Sequence, residues 1–200
     1  MYTGMLKDYH SVSMDTAIDM HKLIRFLTLS LANDGYLNFM GNEFGQFIEW
    51  NYAQELDWFL LDYPRHYAFR KFVKDLNNFY LEHKELWQLD STYDGFKWIV
   101  VDDNKNNVAS YIRSAADGKY VVVVINFSPV EYHKYIMGVP ERKAYRAEVY
   151  SALKKYGGEE ERRPTFKAVG TPAHGHKYSI KLNIPKNSVM ILIPEDKEEK

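Results

Sequence analysis

The sequence predicts an α/β segment followed by an all-β domain, and three observations carry that reading. Between residues 14 and 85, apolar residues recur at helical spacing on either side of one short apolar run. Near residue 90 the apolar period changes from that of a helix to that of a strand. Beyond it, short strand patterns and turn residues alternate, as in an antiparallel sandwich or barrel. A chain of 200 residues accommodates one or two domains, and 46% hydrophobic with 16% aromatic residues is ample for a packed core.

Residues 1–12 are polar and aromatic without a period and read as the tail of a connection. Ser13 is an N-cap candidate, and Asp15 suits the positive end of a helix dipole. Ile18, Met20, Leu23, Ile24, Leu27 and Leu31 then mark a helix over 14–33, which Asn33-Asp34-Gly35 ends, with Gly35 suited to a left-handed cap. The stripe Leu23, Ile24, Leu27, Leu31 exceeds what one strand and one helix can cover, so part of it is expected to stand bare. Tyr36 to Met40 reads as a buried parallel strand. The loop Gly41-Asn42-Glu43-Phe44-Gly45-Gln46 follows, with glycines that let the backbone turn sharply.

Tyr52 to Leu61 is a short helix or turn carrying Trp58, and Pro64 opens a second long helix. Ala68, Phe72, Val73, Leu76, Phe79 and Tyr80 form its apolar stripe, which fades near His83–Trp87. Seven strands follow: 96–101, 108–114, 120–127, 132–137, 144–150, 178–184 and 188–193. This region, Phe96 to Ile193, is expected to fold on its own. Residues 153–177, with Gly157-Gly158 and a run of charges, read as a long surface loop.

Composition removes several function classes. The 26 basic and 27 acidic side chains leave a net charge of −1, which gives neither nucleic acid nor an anionic membrane a reason to bind. There are no cysteines, hence no disulfides and no thiolate zinc site. No stretch resembles a signal peptide or a bilayer span, and cytoplasm is the expected compartment. His174-Gly175-His176 lacks a completing carboxylate or thiol, so it reads as a loop-to-strand join and no metal is expected.

Gly35-Tyr-Leu-Asn-Phe-Met-Gly-Asn-Glu-Phe-Gly45 resembles the final barrel strand of the 1,4-α-glucan (glycogen or starch) branching enzymes of the α-amylase family. Glu49-Trp50-Asn51 and Leu56-Asp57-Trp58 resemble the bacterial branch of that family. Met1-Tyr2-Thr3-Gly4-Met5 and His21-Lys22-Leu23-Ile24-Arg25 are closer to the eukaryotic type. Tyr156-Gly157-Gly158 and His174 to Ser179 are similar to the family's C-terminal sheet domain. The resemblance implies that residues 1–90 are the last part of a (β/α)8 barrel, namely helix seven, strand eight and helix eight. It makes residues 91–200 the antiparallel β-sandwich C-terminal domain.

The resemblance also implies an activity for the parent enzyme: cutting α-1,4 glucan and passing the cut chain to a 6-hydroxyl, without a cofactor. That chemistry needs two carboxyl groups about 5 Å apart, one nucleophile and one acid/base. In the family these, and a third carboxylate in a His-Asp pair, lie on strands that precede this sequence. The chain has no His-Asp dipeptide, so no catalytic residue is assigned here and the chain alone is expected to be inactive.

Asn42, Glu43, Gln46 and Trp50 are the candidate substrate-binding residues, the amides facing sugar hydroxyls and the indole stacking on a ring. A lone carboxylate cannot fill both catalytic roles, so Glu43 is expected to hold the loop instead. The implied partners are α-1,4-glucan (glycogen, starch or amylose) and the missing N-terminal barrel of the same enzyme. The alternatives are a stand-alone glucan-binding module and a fragment of an α-amylase-family debranching hydrolase. Met1 reads as the edge of a truncated piece.

Overall fold

The computed structural model describes residues 13–31, 37–48 and 51–196. Helix α1 spans Met14–Ser30. Ser13 caps it, its Oγ accepting the Thr16 N–H at 3.2 Å, and Asp15 lies in the first turn. The helix ends at Ser30 rather than residue 33, with the Leu31 N–H donating to Leu27 O. Asn33-Asp34-Gly35 lie outside the described residues. Helix α2 spans Pro64–Glu82, begins on its proline, and buries Phe69, Phe72, Val73, Leu76 and Phe79. A 3-10 turn, Trp58–Asp62, leads into it.

The buried parallel strand is not formed. Residues 37–39 are irregular, Met40 begins a turn, and Leu37, Phe39 and Met40 are 80%, 48% and 44% exposed. A parallel strand needs neighbours to satisfy its backbone N–H and C=O groups, and the described part of this chain supplies none.

The bare helix face is corrected as well. Leu23 is buried, and Ile24, Leu27 and Leu31 are half-buried. The sheet domain supplies the missing cover, since α1 packs across its last strand, Ser188–Glu195.

The strands are β1 Phe96–Asp103, β2 Val108–Ser114, β3 Tyr120–Asn126, β4 Tyr132–Val139, β5 Ala144–Tyr150, β6 Thr165–Lys167, β7 Tyr178–Ile184 and β8 Ser188–Glu195. Six form one sheet in the order β1-β2-β3-β8-β5-β6, and β4 and β7 form the second. Every strand pair is antiparallel. Val121 to Ile125 is a continuous apolar run because β3 lies at the centre, where all five residues are fully buried. β4 meets β1, and β7 meets β6, closing the sandwich.

β6 lies within the span read as a loop. Three residues are too few to show a period, and its pairing with Ala144–Arg146 of β5 depends on the fold.

Helices and sheets share one apolar core, from Ala17 and Phe26 through Phe72 and Leu86 to Val123 and Ile191. A buried polar strut ties them together. Arg113 on β2 is fully enclosed. Its Nη1 donates to Ser30 O at 2.8 Å, its Nε to Gly95 O at 3.0 Å, and its Nη2 to Leu86 O at 3.0 Å and to the Asp90 carboxylate. The guanidinium thereby satisfies a terminal carbonyl of α1 that the helix itself leaves open. Beside it, the Tyr111 and Ser30 hydroxyls lie 2.6 Å apart, and the Ser30 hydroxyl lies 2.8 Å from Phe26 O.

Candidate functional site

The segment after α1 carries three of the four candidate residues in described positions: Asn42, Glu43 and Gln46. Trp50 lies outside the described residues. Gly41 and Gly45 adopt φ +80° and +74°, so the chain reverses tightly between Phe39 and Gln46. The Asn42 N–H donates to Phe39 O, and the Gly41 carbonyl accepts the N–H groups of both Phe44 and Gln46. A Cβ on Gly41 would sit 2.7 Å from the Gln46 Cβ. That close approach is the physical reason for glycine here.

The polar side chains of this loop hold one another. Arg25 of α1 donates from Nη2 to Asn38 Oδ1 at 2.7 Å and from Nη1 to Leu37 O at 3.2 Å. Asn38 passes the connection on, its Nδ2 donating to Glu43 Oε2 at 3.0 Å. Gln46 spans the loop, its Oε1 accepting the Asp57 N–H at 3.0 Å and its Nε2 donating to Ile48 O at 3.3 Å. Below, buried Phe44 meets the Trp58 ring at 5.3 Å, and the His66 imidazole lies 2.7 Å from Phe44 O. Asn42 and Glu43 remain half-buried, with Glu43 facing a groove along α2 lined by Tyr67, Arg70, Lys71 and Lys74.

This arrangement can hydrogen-bond a polyhydroxyl ligand through Asn42 and Glu43. Gln46 is already engaged at both ends of its amide. The tether from buried Arg25 to exposed Asn38 was not singled out in the sequence, because both residues lie where an apolar periodicity assigns them no role.

Elsewhere, His174-Gly175-His176 is a tight turn with φ +47° at His174 and +75° at Gly175. Ala173 and His176 exchange both backbone hydrogen bonds across it. His174 Nδ1 accepts the Gly138 N–H at 3.2 Å, and burial, with Lys97 and His174 nearby, lowers the His176 pKa. Among the described residues, no group of three or more His, Asp and Glu side chains could hold a metal ion. No described helix is long and apolar enough to cross a membrane.

Comparison with known proteins gives a consistent result. Residues 98–195 match the family described as alpha amylase, C-terminal all-beta domain. The chain is 42% identical over 160 residues to the 1,4-alpha-glucan branching enzyme GlgB of Halothermothrix orenii, covering 79% of this chain and 25% of that protein. It is 42% identical over 160 residues to the enzyme of the same name from Aromatoleum aromaticum, covering 80% and 25%. It is 39% identical over 171 residues to that of Pseudomonas putida, covering 84% and 23%. The chain thus spans about a quarter of the length of the curated relatives it matches. Among solved structures, it superposes with TM-score 0.60 and 11% identity on the catalytic module of the glycogen-degrading pneumococcal virulence factor SpuA, covering 92% of this chain and 32% of that one. At that identity the likeness concerns the fold.

Proposed function

Residues 98–195 belong to the alpha amylase C-terminal all-beta domain family, within a chain related to 1,4-alpha-glucan branching enzymes over four fifths of its length, and from that premise we propose that the chain is the C-terminal part of a branching enzyme. Residues 1–90 are then the end of the catalytic barrel and 91–200 the sheet domain. The whole enzyme cuts α-1,4 glucan and transfers the cut chain to form α-1,6 branches in glycogen or starch, in the cytoplasm. The observation that carries this reading is 42% identity sustained over 160 residues of a chain that corresponds to only a quarter of its relatives.

The chain's own contribution is to shape and bind rather than to break bonds. A retaining displacement needs two carboxyl groups about 5 Å apart on opposite sides of the reacting carbon. In this reading, both lie in the preceding part of the enzyme. Asn42, Glu43 and Gln46 sit at the rim of the active site; Asn42 and Glu43 contact glucan hydroxyls, Gln46 keeps the loop in shape, and Trp50, outside the described residues, is proposed to stack on a sugar ring. Binding of this kind adds affinity without accelerating cleavage unless it strengthens in the transition state.

The test joins the three quarters of the Halothermothrix orenii enzyme that precede the matching region in frame to this chain. Incubated with amylose, the chimera is expected to lower iodine colour and create α-1,6 linkages, whereas the chain alone creates none. New reducing ends without α-1,6 linkages would instead identify a hydrolase.

A further inference from the structure

The turn Ala173-His174-Gly175-His176 has no part in the proposed glucan contacts, yet it presses directly onto strand β4. We propose that this turn is a proton-operated latch, closed on β4 while the His174 imidazole is neutral and released when that ring is protonated. The inference stands apart from the branching-enzyme reading, because every group in it belongs to the strand region.

Three observations support it. The turn reverses tightly, with φ +47° at His174 and +75° at Gly175, and Ala173 and His176 exchange backbone hydrogen bonds across it. It rests on Gly138 of β4, where a Cβ would run into Ala173 O and stand 3.2 Å from the His176 Cβ, so glycine is needed for the approach. The third observation concerns the Gly138 amide. Ser179 lies opposite Gly138 in the β4–β7 pair but exchanges its backbone hydrogen bonds with Val169. The Gly138 N–H donates instead to His174 Nδ1 at 3.2 Å. In a sheet of only two strands, an amide of this kind is closed by an imidazole rather than by backbone.

Nδ1 accepts that bond only while it carries no proton, since an imidazolium has a donor on each nitrogen and no acceptor. Protonation therefore sets two N–H groups against each other where the turn is fastened. His174 is exposed, so the proton arrives without any opening of the core. The cations around the turn favour release. Lys97 of β1 and the two imidazoles share one field, and Lys97 and His174 both add to the larger effect of burial in lowering the His176 pKa. Lys177 adds a further cation, 5.7 Å from the centre of the Tyr178 ring. The opposing attraction is that of the Asp103 carboxylate at the end of β1, which already accepts from Asn106 and, at 2.7 Å, from the Tyr135 hydroxyl of β4. Released, the turn leaves the Gly138 amide to solvent and unties the chain that enters β7 two residues later. The result is a local loosening in mild acid while the centre of the large sheet stays folded.

The test is nuclear magnetic resonance on the chain itself, titrated from about pH 7.5 to about pH 5, across the ordinary imidazole range. At the upper end the His174 ring should carry its proton on Nε2 with Nδ1 bare, and the Gly138 amide should be protected from exchange. Towards the lower end, Gly138 protection, corrected for the intrinsic effect of pH, should fall on the order of 10-fold relative to the amide of buried Val123 in β3. His174→Asn keeps a side-chain oxygen and tolerates the left-handed backbone, so it should remove that fall. His176→Asn should preserve it. A proton on Nδ1 at about pH 7.5 would overturn the proposal, because the bond from Gly138 could not then exist. So would Gly138 and Val123 losing protection in step, which marks general unfolding by acid, or a fall that persists in His174→Asn. The ring's protonation site is read on the unaltered chain, so that arm decides even where a substitution disturbs folding.

Discussion

At the scale of single residues, two buried ionisable groups matter most: Arg113, which joins the helical part to the sheet, and His21, which lies against Phe69 between the two helices. Arg113 binds three backbone carbonyls and the Asp90 carboxylate with no exposed surface. Replacing it with Met fills much of the volume but leaves Asp90 and three carbonyls without a donor. Arg113→Met should therefore lower unfolding free energy by about 3–5 kcal/mol in urea titration. His21 works in the opposite sense. Burial, with the Arg25 charge nearby, lowers its pKa from 6.5 to about 3. Its folded pKa lies below the unfolded one, so as pH falls the unfolded chain takes up the proton first and stability declines from about pH 6.5 down to about 3. Between pH 7 and 5 this amounts to about 2 kcal/mol. His176, also lowered by burial, adds in the same direction. His21→Gln should flatten the dependence in that window; an unchanged slope would show that His21 is not its source. The lowered carboxyls of Asp75 and Asp103 act separately, at pH below their ordinary range, where protonation removes stability.

At the scale of elements, what could be read from the chain depended on whether neighbours were within it. The strands were legible because period-2 runs and their turns are local, and all seven formed with ends shifted by no more than two residues. β6 was not, since three residues gain strand character only by pairing with β5. Both helices were legible, but the buried side of α1 was not. It includes His21, Lys22, Arg25 and Ser30, polar residues that a hydrophobic stripe assigns to solvent and that become buried by pairing: Lys22 with Asp19, Arg25 with Asn38. Within the candidate site the glycine turn was legible, and the Arg25–Asn38–Glu43 connection was not. The turn itself yields a prediction. Gly41→Ala places a side chain at φ +80° and 2.7 Å from the Gln46 Cβ, which should cost about 1–3 kcal/mol. Faster proteolysis between 41 and 57 is the expected readout, because Gln46 then loses its hold on the Asp57 N–H.

At the scale of the whole molecule, a boundary near residue 90 divides the architecture without dividing the core. α1 packs on β8, the core is continuous from Ala17 to Leu192, and Arg113 links Ser30, Leu86, Asp90 and Gly95 across that boundary. In the structure the strand region, expected to fold on its own, shares its core with the helices, and we propose that the two parts unfold together. Far-ultraviolet dichroism and tryptophan fluorescence should report one coincident unfolding transition, and residues 91–200 alone should melt below the full chain. Separate transitions would refute the shared core.

The proposed role requires the chain to be one part of a glucan-branching catalyst. The most direct measurement is the number of α-1,6 linkages formed from amylose by the chain alone, by the Halothermothrix orenii chimera, and by that chimera with Glu43→Gln. The proposed function predicts none from the chain alone, branching by the chimera, and reduced but measurable branching with Glu43→Gln, since the role proposed for Glu43 is to brace Asn38 and contact glucan without breaking a bond. Branching by the chain alone that vanishes with Glu43→Gln would contradict it.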